Sequence, residues 1–212
     1  MPNLPISQLP TSDALTGSEL FAIVQDGVTK QTTLDSITYA PGSNYGLFAQ
    51  TANSTPITET TAETSLINGG IGTLSVPANG FNIGDSFRAI FGGVLNAANN
   101  QTITVRVKTG GVILLDSGAQ SITNITNDIF FLNIDFTIRS LGAAGVASIV
   151  SLGSFHYTKT SNGTVQGFAF NTVNNTTFDT TINNTLDVTV QWSSDDADNS
   201  IYSDIFILNK TY

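Results

Sequence analysis

The chain has 212 residues, room for one full domain and an appendage. It is 40% hydrophobic but 11% charged, against about 25% charged in a typical soluble domain, and its net charge is −9. Seven scattered Lys and Arg make no basic patch for nucleic acid or an anionic membrane, and the absence of cysteine removes disulfides, thiol nucleophiles and thiolate metal sites together.

The first ten residues, MPNLPISQLP, have no basic start and no apolar core, so no signal peptide is expected there, and no run approaches the ~18 apolar residues of a membrane-spanning helix. Pro2, Pro5 and Pro10 make an extended lead-in, and Ser12 can cap a helical turn that Gly17 ends. FAIVQDGVTKQTTL (21–34) then reads as a β-hairpin about Asp26-Gly27, a dipeptide suited to a two-residue type I′ turn. A two-residue loop pairs Leu20 with Thr33, Phe21 with Thr32, Ile23 with Lys30 and Val24 with Thr29. The first strand is therefore apolar on both faces and the second mostly polar. Burying one large apolar side chain is worth about 1.5–3 kcal/mol, so Leu20, Phe21, Ile23 and Val24 call for cover that an isolated hairpin cannot supply.

Residues 39–64 are rich in Thr, Ser, Asn and Pro and lack periodicity, which predicts a linker or extended arm. From Ser65 the texture changes to strands separated by turn formers. Ile103, Val105 and Val107 alternate with polar residues, as do Phe130, Leu132, Ile134, Phe136 and Ile138, and Leu186, Val188, Val190 and Trp192. Further strands are predicted at 84–94, 112–118, 146–158, 164–173 and 201–209, with breakers at Asn79-Gly80, Asn99-Asn100, Gly110-Gly111, Gly142 with Gly145, and Asn162-Gly163. About eight strands and no helix predict an all-β chain: a jelly-roll β-sandwich over 65–212, preceded by the arm and its hairpin.

The strand at 146–158 is apolar on both faces. Val146, Val150 and Leu152 lie on one and Ile149, Phe155 and Tyr157 on the other. One sheet of a sandwich covers one face; either a neighbouring subunit or a long loop covers the second. The subunit alternative makes Ile149, Phe155 and Tyr157 a candidate oligomer interface.

Residues that carry chemistry are sparse. The single histidine, His156, lies between Phe155 and Tyr157 in a strand, and no G-x-S-x-G elbow or phosphate-binding glycine loop with lysine occurs. The three glutamates, Glu19, Glu59 and Glu63, all fall in the arm, where no pocket is expected for a pair of catalytic carboxylates. SSDDADNS gathers Asp195, Asp196 and Asp198 between two strands; it reads as a solvated hairpin tip, with calcium the alternative, and its spacing matches no EF-hand. These patterns predict no enzyme, no cofactor and no resident metal.

The stretch LPISQLPTSDALTGSELFAIVQDGVTKQTTLDSI resembles a short module at the N-terminus of many tailed-phage fibre and virion proteins. Leu4-Pro5, Leu15, Gly17, Glu19, Leu20, Val24, Gln25, Asp26, Gly27, Thr29, Lys30, Thr33 and Leu34 carry the likeness. TETSLINGGIGTLSVPANGFNIGDSFRAIFGG, TITVRVKTGG, FTIRSLGAAGVASIV and TLDVTVQW are similar in order and texture to trimeric jelly rolls on virion surfaces. The resemblance implies a homotrimer on the particle, without enzymatic activity. Residues 1–38 would then be the virion anchor, docking on a capsid or tail protein through Leu20, Phe21, Ile23, Val24, Asp26, Gly27 and Leu34. The short chain favours a surface spike, head fibre or decoration protein over a long tail fibre. A receptor- or glycan-binding module is the competing expectation, with Trp192, Tyr202 and Phe168 as candidate contacts, although the alternation of its strand assigns Trp192 to the core.

Overall fold

The computed structural model describes residues 20–33, 46–159 and 163–212, and the chain divides into two compact units, Met1–Ser43 and Asn44–Tyr212. In the first unit β1 (Leu20–Gln25) and β2 (Val28–Thr33) form an antiparallel hairpin in the register expected from the sequence, Leu20 opposite Thr33 through Gln25 opposite Val28. Asp26 and Gly27 hold φ of 56° and 75°, the two left-handed residues that let a two-residue turn follow the strand twist. Leu34, the lead-in prolines and the short helical turn predicted before the hairpin lie outside the described residues.

The second unit is all β among its described residues. In chain order its strands are β3 (Gly46–Gln50), β4 (Ile57–Thr58), β5 (Thr64–Ser65), β6 (Gly70–Gly72), β7 (Ser75–Val76), β8 (Ser86–Ala97), β9 (Gln101–Thr109), β10 (Val112–Asp116), β11 (Gln120–Ile122), β12 (Ile125–Ser140), β13 (Ser148–Lys159), β14 (Thr164–Asn175), β15 (Asn184–Trp192) and β16 (Ser200–Lys210). The larger sheet runs β14-β13-β12-β8-β16-β3-β6 with β4 beside β16. The smaller runs β10-β9-β15-β5, with β11 beside β9 and β7 beside β15. Every pairing is antiparallel.

Buried side chains of both sheets join one core. Alternation puts Phe91, Phe130, Phe155 and Phe206 of the larger sheet into it, each 0% exposed, and Trp192 of the smaller sheet meets them at 1%. Phe206 lies opposite Phe91, and their rings stack with centroids 4.1 Å apart. Buried aromatics of this size each remove about 150–250 Å² from water and dominate the packing energy. The Trp192 indole N–H, which burial would otherwise leave unpaired, donates to the Ile57 carbonyl at 3.2 Å.

The texture of 39–64 predicts a linker, and from residue 46 the structure corrects this. β3 pairs with β16, β4 with β16 and β5 with β15, while Phe48, Ser54 and Ile57 are buried. Two-residue strands show no alternation in the sequence; their donors and acceptors are satisfied by partners more than a hundred residues away.

Candidate functional site

Three surfaces carry the residues that matter. The first is the hairpin. Leu20, Phe21, Val24 and Val28 are exposed, Leu20 at 64% and Val24 at 73%, and Ile23 is half-buried. An ion pair from Lys30 to Asp26 at 3.8 Å is at the surface and contributes little.

The second is the outward face of the larger sheet. Ile149, Phe155 and Tyr157 are 1%, 0% and 4% exposed, buried in the chain's own core, so they offer no surface to a second subunit. The two faces of β13 were separable in the sequence, but nothing local marked which one turned inward. Its outward face carries half-buried Val150, exposed Leu152 and exposed His156, whose Nδ1 lies 3.4 Å from the Ser154 hydroxyl. Register extends the face across neighbouring strands. Ile205 lies opposite Gly92, Gly92 opposite Phe131, and Phe131 opposite His156. The adjoining rows bring Tyr202, Val94 and Ile129 together, and Ile207 with Ile90. Phe131 and Ile129 are 54% and 56% exposed. A solvated sheet face is ordinarily polar, and this one carries an apolar stripe along its centre.

The glycan-contact candidates divide. Trp192 is enclosed in the core, and Phe168 stacks on Phe155 with centroids 5.1 Å apart. Tyr202 is half-buried on the outward face. In the loop before β16, Asp196 accepts the Asp198 N–H at 2.9 Å and its carbonyl accepts the Asn199 N–H at 3.0 Å, an Asx-type turn. Among the described residues no three His, Asp or Glu side chains gather where they could hold a metal ion.

The third surface is a cleft of about 550 Å³ that sequence reasoning missed. The turn between β8 and β9 supplies Asn99 and Asn100, the β11 end supplies Ser121, the link to β12 supplies Thr123 and Asn124, and the end of β13 supplies Lys159. Buried Ile122 also lines it. Its rim is held from behind. Asn199, fully buried, accepts the Ala98 N–H at 3.1 Å, and the Gln101 carboxamide oxygen accepts from Ser194 at 2.6 Å and from Ser193 at 3.2 Å. On the opposite wall Thr123 and Tyr157 both donate to the Gln166 side-chain oxygen at 3.2 Å. Asn99-Asn100 was legible only as a turn, with Asn100 at φ 60°, and Lys159 only as a strand end.

No protein-family model and no curated protein matches this chain.

The charged side chains set the cleft apart. Arg106 is held by Glu63 at 3.0 Å and Asp116 at 2.9 Å, Arg88 by Asp135 at 2.7 Å, and Lys210 by Asp85 at 2.7 Å. Lys108 pairs with Glu63, and Arg139 donates to Asn174 at 2.9 Å. Burial pushes the Glu63 carboxyl up, but hydrogen bonds from Lys108 and Thr189, with the charges of Lys108 and Arg106, outweigh it and hold the group below its ordinary range. The texture of the sequence places Glu63 in the arm; the structure instead has it tie β5 and the residues before it to the smaller sheet. Lys159 alone among the Lys and Arg side chains has no hydrogen bond or ion pair to another described residue.

Proposed function

We propose that the protein is a non-enzymatic virion structural protein. It is a surface spike, head fibre or capsid decoration protein of a tailed phage, held on a capsid or tail protein by residues 1–38 and displaying a homotrimeric jelly roll. The observation that carries this reading is the hairpin: a compact unit of its own whose first strand leaves Leu20, Phe21 and Val24 exposed on both faces. Apolar residues on both faces of a two-stranded ribbon suit docking between or beside the strands of a larger partner.

Strand order supports the jelly roll. Taking β3, β5, β8, β9, β10, β12, β15 and β16 as strands one to eight, the sheets read 1-8-3-6 and 2-7-4-5, the order of two interleaved Greek keys. The β13–β14 hairpin then extends the first sheet at its edge. The outward face supports self-association. Five long strands span about 24 Å and ten residues about 34 Å, on the order of 800 Å², the area one partner contributes to a standard interface. Contact through Ile129, Phe131 and Ile205 replaces the contact first expected through Ile149, Phe155 and Tyr157.

The test is composition of the particle. Mass spectrometry of purified virions from the source that encodes the chain is expected to find its peptides, and Phe21→Asp with Val24→Asp is expected to leave the folded protein in the unbound fraction. Absence of the wild-type chain from the particles overturns the reading.

A further inference from the structure

We infer that the cleft between the β8–β9 turn, β11 and the end of β13 is a binding site for a carboxylate-bearing saccharide, with Lys159 paired to the carboxylate. Acidic residues outnumber Lys and Arg sixteen to seven in this chain. With that excess, Lys30, Arg88, Arg106, Lys108 and Lys210 each pair with a carboxylate of the chain, while half-buried Lys159 stands at the cleft with no described carboxylate in ion-pair contact. A carboxylate entering the cleft meets this ammonium without displacing a described ion-pair partner, and the cleft has the volume of a small-ligand site, about 300–1,000 Å³.

The remaining lining narrows the class. Asn99, Asn100 and Asn124 each offer two donors and an acceptor, and Ser121 and Thr123 offer hydroxyls that do both. Such groups match the adjacent hydroxyls of a sugar ring, each of which also donates and accepts. A single cation suits a single carboxylate and not a polyphosphate. Among the described residues no aromatic side chain lines the cleft for base stacking, and a net charge of −9 opposes a nucleic-acid backbone. The rim is preorganised: the Asn199 and Gln101 contacts fix the Asn99-Asn100 turn, and Gln166 fixes Thr123. This inference goes beyond the virion reading and does not depend on it, because the cleft is formed within one chain.

The experiment is a titration of the full chain, followed by NMR shift changes, with glucuronate- and sialate-ended oligosaccharides and their neutral glucose- and galactose-ended counterparts. Free glucuronate and sialate form a separate arm, which distinguishes a single sugar from a chain end. Acidic saccharides are expected to bind and to shift residues 99–100, 121–124 and 159. Lys159→Gln is expected to weaken them by about tenfold or more, the loss of a charge-assisted hydrogen bond, while Lys159→Arg restores most of the affinity. Asn124→Ala, exposed and outside any strand, is expected to weaken the same saccharides several-fold. Equal binding of acidic and neutral saccharides, unchanged affinity in Lys159→Gln with unchanged melting, or no shift in any arm up to 10 mM (about the weakest binding worth assigning) overturns the proposal.

Discussion

Gly93 shows how closely the backbone is packed. It sits in β8 opposite Phe130 and Ser203, and a Cβ built on it would fall on the Tyr202 carbonyl oxygen, with Phe130 Cε1 at 3.0 Å. A strand carbonyl cannot retreat without breaking its ladder. Gly93→Ala is therefore expected to destabilise by more than about 3 kcal/mol, the upper end for ordinary overpacking, read as a fall in the urea midpoint. Asp85 carries a different load. It is 6% exposed, accepts the Asn82 N–H at 2.9 Å and pairs with Lys210, whose side chain is 14% exposed. Asp85→Ala leaves that ammonium uncompensated, a loss of about 3–5 kcal/mol in chemical denaturation. Glu63 makes a pH-dependent contribution. Its carboxyl is held below the ordinary value in the folded chain, so its stabilisation is present above the unfolded-state pKa and is lost as pH falls through the lower folded one. The melting difference between wild type and Glu63→Gln is expected to be largest near neutral pH and to shrink below about pH 4. None of these three was legible in the sequence. The partners of Asp85 and Glu63 lie up to 126 residues away, and a glycine in a strand carries no local sign of what approaches it.

Elements were more legible than residues where their signal was local. The hairpin register followed from Asp26-Gly27 and a two-residue loop, and the long strands emerged close to their predicted bounds, as Ser148–Lys159 against 146–158 and Ser200–Lys210 against 201–209. Period-two alternation is a property of each strand alone, so one sequence suffices to read it. The integration of residues 46–65 into the sheets was not legible, because β4 and β5 are too short to alternate, β3 (GLFAQ) shows no apolar–polar alternation, and all three are fixed by β15 and β16. The cleft failed for the same reason: it joins ends of β8, β11 and β13 that only the fold brings together. The hairpin supports a test at its own scale. Gly27 at φ 75° has open space about it, so a side chain there meets backbone strain and no clash. Gly27→Val is expected to cost about 1–2 kcal/mol and to lower hydrogen-exchange protection across 20–33.

For the whole molecule the decisive quantities are the apolar outward face and the net charge. The proposed association through Ile129, Phe131 and Ile205 would remove apolar surface from water, which favours assembly at about 25 cal/mol per Å² before the costs of association. Each copy also brings a charge of −9, which opposes it over roughly a Debye length. The two terms respond oppositely to salt. Screening weakens the repulsion and leaves burial in place, so the mass from light scattering is expected to be trimeric and the complex tighter at about 0.5 M salt than at about 0.05 M. Phe131→Asp sets a charge at the centre of the face, where the side chain is 54% exposed in the single chain. It is expected to give a monomer whose circular dichroism is unchanged, because the residue contributes little to the chain's own core. Val190→Asp, buried at 0%, serves as the contrast: it is expected to unfold the chain and so lose both signals together. A wild-type monomer at every salt concentration removes the outward face as a trimer contact and leaves its apolar stripe to a different partner. A trimer that survives Phe131→Asp places the threefold contact elsewhere on the chain.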